Sequence, residues 1–135
     1  MMLSRRHAIL SVAAALSLCA TGEFAFARSD DPLHGLDTDN DHTVDLEEAK
    51  KAASAVFDRL DRDHDGTLDW RELRGRLTVR ELNAADPDHD RTLTKDEYLA
   101  LVERRFNAAN PDRDGTLDAK ELKTKAGRAL LKLLR

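Results

Sequence analysis

The chain has 135 residues, 41% of them apolar but only 4% aromatic, so it holds material for one small domain and little for a deep core. Twenty-six acidic residues against 22 basic ones give a formal net charge of −4, which excludes a nucleic-acid grip built on bulk positive charge. A single cysteine excludes a disulfide framework within one chain.

Residues 1–27, MMLSRRHAILSVAAALSLCATGEFAFA, start with Arg5 and Arg6, continue through an apolar run from Ala8 to Ala20 and end on Ala25-Phe26-Ala27. That order reads as a cleavable export signal. The run of about thirteen residues falls short of the roughly 17–25 that a spanning helix needs, so no integral membrane segment is expected after cleavage. The stretch SRRHAIL resembles a twin-arginine signal but lacks the usual Phe-Leu-Lys after the arginine pair, and Leu18 is too bulky for the position before a lipidated Cys19. The expectation is a periplasmic or secreted protein whose mature chain, without thiols, relies on metal as its staple. Residues 28–36, RSDDPLHGL, contain Pro32 and Gly35 and read as an irregular lead-in.

From residue 37 onward one pattern recurs: DTDNDHTVDLEE (37–48), DRDHDGTLDWRE (61–72), DPDHDRTLTKDE (86–97) and NPDRDGTLDAKE (110–121), with starts 24, 25 and 24 residues apart. Like charges crowded in this way repel one another unless a cation sits among them. Acidic or amide side chains occupy the first, third and fifth places, Thr the seventh, Val or Leu the eighth and Glu the twelfth, which is the spacing of a calcium loop. A hard cation takes six to eight oxygens, and a coiled loop presents alternate side chains to it. The candidate ligands are Asp37, Asp39, Asp41, Thr43, Asp45 and Glu48; Asp61, Asp63, Asp65, Thr67, Asp69 and Glu72; Asp86, Asp88, Asp90, Thr92 and Glu97; and Asn110, Asp112, Asp114, Thr116, Asp118 and Glu121. Each Thr is expected to contribute its main-chain oxygen. The eighth residues, Val44, Leu68, Leu93 and Leu117, are expected to form a short β-bridge to a partner loop and to plug the core.

Over residues 37 to about 122 the chain resembles the EF-hand family, and within it the small secreted bacterial EF-hand proteins. The resemblance implies an all-α fold in which four calcium loops are joined by short helices, with Ca2+ as the bound ion and Mg2+ as its competitor. The four loops are not equivalent. The sixth place takes a left-handed backbone, free to Gly66 and Gly115 but costly to His42 and Arg91, and Thr94 replaces a carboxylate at the ninth place. This ranks the loops second, fourth, first, third: two strong, one weak, and the third a candidate for an empty site. His64 and His89, at the outward fourth place, read as solvated surface.

Amphipathic stripes predict helices over 46–60 and 95–108. A spacing near 24 leaves room for one helix between loops, so the helix leaving one loop also enters the next. Such a helix of about sixteen residues is about 24 Å long. Neighbouring loops then lie at opposite ends, and the favoured pairing is first with third and second with fourth. Gly75 and a capping box, Thr78 to Glu81, would instead divide the middle connector and bring the second and third loops together. The tail after Glu121 carries Leu122, Ala126, Ala129, Leu130, Leu133 and Leu134 on one face and only basic charges, which reads as the last helix covering the core. The sharper alternative is a segment beyond Gly127 that detaches to dock on a protein partner or an anionic membrane.

The sequence thus points to a non-enzymatic calcium sensor or buffer, since no nucleophile accompanies a positioned base. A dockerin-like, calcium-rigidified interaction module is the alternative. Phe57, Leu60, Leu77, Leu82, Leu101 and Phe106 would line an apolar groove for a protein partner or simply form core.

Overall fold

A computed structural model describes residues 31–135. The export-signal reading, Cys19 and the start of the lead-in lie outside the described residues.

The path begins with a turn over 32–36 whose Leu33 and Leu36 are buried. It then runs β1 (Val44–Asp45), α1 (Leu46–Leu60), β2 (Thr67–Leu68), α2 (Val79–Ala85), β3 (Leu93–Thr94), α3 (Lys95–Ala109), β4 (Thr116–Leu117), α4 (Ala119–Leu122) and α5 (Lys125–Leu134). About half of the described residues are helical, and the strands among them are two-residue pieces in two small sheets. Helix starts follow directly from the sequence. Asp45, Thr78, Thr94 and Asp118 each cap a helix and form a capping box with the Glu three residues on, so both ends of the exchange are satisfied.

The shared helices are present: α1 runs from the first acidic segment to the second, and α3 from the third to the fourth. The favoured pairing is not. Val44 pairs with Leu117 and Asp45 with Thr116, while Thr67 pairs with Thr94 and Leu68 with Leu93, all antiparallel. The first segment therefore meets the fourth, and the second meets the third. The cause is the middle connector, where no helix passes through. Leu73 and Leu77 close tight turns onto Asp69 and Leu73, Gly75 sits at φ +85°, and Thr78 starts a new helix. The chain thus reverses between the second and third segments, and α1 and α3 run side by side.

Val44, Leu68, Leu93 and Leu117 are fully buried, so each ladder seats two aliphatic plugs in the core. Between the ladders, Phe57 of α1 meets Tyr98 of α3 edge to face, with ring centres 5.8 Å apart. Phe57, Leu77, Leu82, Leu101 and Phe106 are buried and Leu60 half-buried, so this set is core rather than an open groove.

α5 occupies the groove face of α1 and α3 with Leu130, Leu133 and Leu134. Gly127 is required by close approach: a Cβ there would lie 2.2 Å from the Glu121 carbonyl oxygen. The carbonyls at the end of α5 have no partner within the helix and are met from outside. Tyr98 Oη donates to Leu133 O at 2.8 Å, and Arg76 Nη1 to Lys132 O at 2.7 Å and to Arg135 O, while Arg105 Nη1 adds a bond to Ala129 O, further inside the helix, at 2.6 Å. Arg135 in turn donates to Pro32 O at 2.5 Å, tying the tail to the lead-in. The basic tail is thus the final helix over the core, held at both ends.

Candidate functional site

Each acidic segment wraps around its own first residue. In the first, Asp37 accepts from Asn40 N (2.6 Å) and His42 N (3.0 Å). In the second, Asp61 accepts from Asp65 N (3.2 Å) and Gly66 N (3.1 Å). In the third, Asp86 accepts from Arg91 N (2.8 Å), and in the fourth Asn110 accepts from Arg113 N (2.8 Å). These bonds coil the backbone so that the third and twelfth residues return towards the first.

The result is three groups of converging carboxylates: Asp37, Asp39 and Glu48; Asp61, Asp63 and Glu72; Asp86, Asp88 and Glu97. Within each group one oxygen of every member lies within 4.8 Å of the others. The fourth segment has Asp112 and Glu121 at the matching places of the sequence and an amide, Asn110, at the first. The third segment assembles its triad as the first two do, although its sequence ranks it last.

Other candidates are used differently. Asp45 and Asp118 cap helices and Asp69 caps the turn that follows it, accepting from Glu48 N (2.7 Å), Glu121 N (2.8 Å) and Glu72 N (3.0 Å) respectively. Thr94 does the same for Glu97 N at 3.3 Å, so the missing carboxylate at that place leaves the local fold intact. The fifth-place carboxylates Asp41, Asp65, Asp90 and Asp114 each accept from both the amide and the hydroxyl of the Thr two residues on, at 2.7–3.1 Å. This hydroxyl contact is absent from the sequence reading, which gave Thr43, Thr67, Thr92 and Thr116 a main-chain role alone.

Backbone strain is also wider than the sixth place. His42 and Arg91 are left-handed at φ 70° and 71°, as expected, but so are the fourth-place residues Asn40, His64, His89 and Arg113, at φ 58–62°. Asn and His tolerate that region better than most residues, which gives His64 and His89 a backbone reason to be there. The recurrence of Asn or His at this place was the available signal.

The electrostatics record the crowding. The Asp41 amide holds Asp39 down, yet desolvation and the carboxylates of Asp41, Glu48 and Asp37 together raise its pKa above the ordinary value. Burial pushes Glu48 up, but bonds from the amide and hydroxyl of Thr38 and the amide of Asp45 outweigh it and bring it below. In the third segment, burial acts against ionised Asp86, while the Arg91 amide and a hydrogen bond with Asp88 favour it; Asp88, on the other side of that bond, is raised. Opposite shifts on two adjacent carboxylates record the repulsion that a cation between them would offset.

The donors are carboxylate and amide oxygens, without Cys or His, which suits a hard cation such as Ca2+ or Mg2+. One atom points the same way. Asp86 Oδ1 is buried and has no hydrogen-bond partner, a costly state for a carboxylate oxygen that coordination would remove. The residues present therefore fit the ion.

Residues 54–77 match the family model described as EF hand. That stretch contains the end of α1, the whole second segment and the turn to Leu77. The match supports the EF-hand superfamily; an EF hand implies calcium binding, and the acidic clusters are groups that could hold such an ion. No curated protein matches the chain. Among the described residues no helix is long and apolar enough to cross a membrane.

Proposed function

We propose that the chain is an exported, non-enzymatic calcium-binding protein with four EF-hand loops, in which the ion tightens the fold. The observation that carries this reading is the threefold convergence of first-, third- and twelfth-place carboxylates, with Asp86 Oδ1 buried and unpartnered in one of them. The candidate ligands are the residues named from the sequence, with those at the ninth place acting as caps that orient the twelfth-place Glu rather than as direct donors. The carboxylates are engaged in caps, turns and ion cages, which supports a binding role over catalysis.

Without metal, like charges remain packed at both ends of a thin core, so the apo form is expected to be partly disordered. Because α5 already fills the groove between α1 and α3, a buffer or a calcium-stabilised scaffold fits better than a sensor that opens for a target helix. Trp70, 41% exposed and next to the cap Asp69, is the natural probe. Titrating Ca2+ while following Trp70 emission and far-UV dichroism is expected to change both signals together; no response at about millimolar calcium would reject the reading. Export is tested separately, by sequencing the N-terminus of the protein recovered outside the cytoplasm, where Arg28 is expected first.

A further inference from the structure

We propose that the connector 70–80 and the outer side of α5 form one docking surface for an anionic lipid bilayer. The starting point is where the positive charge lies. Arg74 and Arg76 of the connector and Lys132 and Arg135 of the tail line one open hollow together with Gly75 and Leu131. Two parts of the chain separated by more than fifty residues thus place four cations around one opening. Among the described residues the ion pairs are Lys50–Glu103, Lys95–Asp58 and Arg105–Glu81, so none of these four cations is in one. Glu81, a carboxylate that feels the charge of Lys132, is held by Arg105 at 2.8 Å. Arg71 and Arg80 extend the basic run along the connector, and Lys125 and Arg128 extend it along α5, all exposed.

The second observation is apolar. Trp70 and Val79 are the exposed large apolar side chains of the described residues, and both stand in this same connector. Tryptophan interleaved with arginine on an exposed turn suits a bilayer interface, where the ring sits at headgroup depth and the cations meet anionic lipids. An amphipathic peptide is a poorer occupant, because the groove such a helix would enter is filled by Leu130, Leu133 and Leu134. The surface needs no release of α5, since its leucines stay in the core while its cations face out. It also does not depend on the calcium reading.

The test uses the full chain and compares variants, so any contribution of residues 1–27 is common to all arms. Sedimentation with neutral phosphatidylcholine vesicles and with vesicles containing about 30% phosphatidylglycerol, with calcium and with chelator, measures the anionic increment in binding. Wild type is expected to show this increment together with a blue shift of Trp70 emission. The double reversal Arg74→Glu with Lys132→Glu, at side chains without hydrogen bonds in the structure, is expected to lose it by on the order of tenfold or more. The control reversal Lys51→Glu with Arg59→Glu, on exposed α1 positions, changes net charge equally and is expected to keep most of it. Matching far-UV dichroism of the three proteins shows that the fold is intact. No anionic increment in wild type, or equal loss in both double variants, overturns the proposal. Binding of soluble polyglutamate as tightly as of anionic vesicles overturns it too, and assigns the surface to an acidic protein partner.

Discussion

Arg91 illustrates how much one residue determines in this molecule. Its φ of 71° costs a side-chain-bearing residue about 1–2 kcal/mol, while glycine in its place loses about 0.5–1 kcal/mol through the entropy of the unfolded chain. Arg91→Gly is therefore expected to stabilise the protein by up to about 1 kcal/mol and to strengthen calcium binding in the third segment, checked by urea midpoint and calorimetric titration. The amide that holds Asp86 at 2.8 Å survives the change. Tyr98→Phe removes a buried hydroxyl that donates to Leu133 O and whose pKa is pushed up to about 12 by desolvation; a loss of about 1 kcal/mol in thermal unfolding is expected. At this scale the sequence was informative where chemistry has a fixed offset, as at the first, third and twelfth places. It was weaker at the left-handed fourth place, where the recurrence of Asn and His is a signal of backbone tolerance and Arg113 departs from it.

Helices were read closely because their signals are local. The predicted 46–60 and 95–108 stand as Leu46–Leu60 and Lys95–Ala109, each opened by a capping box. The tail was read less well. One stripe was visible, but the break between α4 and α5 depends on Thr124, which caps Gly127 N at 3.0 Å, and on Gly127 touching the backbone of α4. Gly127→Ala must push these helices apart, and a loss of about 1–3 kcal/mol is expected from thermal unfolding. At α2, the amide and hydroxyl of Thr78 and the guanidinium of Arg105 hold Glu81 below the ordinary value of 4.5. A lowered folded pKa stabilises the native state above about pH 4.5, and that contribution disappears as pH falls through the folded value. Glu81→Gln should therefore be less stable than wild type at pH 7, with the gap closing towards pH 3 in parallel denaturation curves.

Pairing of the segments belongs to the whole molecule, and of the two pairings the sequence offered, the structure has the one it favoured less, with the second segment beside the third. Continuous helices throughout would have placed the first segment beside the third. The turn around Gly75 reverses the chain once, and that one reversal moves every partner. The ladders imply a specific coupling: Glu72→Gln should weaken the second segment and, through the Leu68–Leu93 pair, the third, while Glu121→Gln should act on the fourth and first. Calorimetric titration of the two variants, with Trp70 emission as the local signal, separates the pairs. An equal effect of both variants on all sites would deny the coupling.

The two ladders also map onto each other by a shift of 49 along the chain, 44↔117 becoming 93↔68. α1 and α3 accordingly have the same length, 15 residues. Since each residue of a helix advances about 1.5 Å and turns about 100°, one residue added to either helix would rotate a whole ladder strand away from its partner. The two helices work as shafts of fixed length and phase between paired ends, so a change in length within either shaft is not absorbed locally but is passed to the ladder at its end.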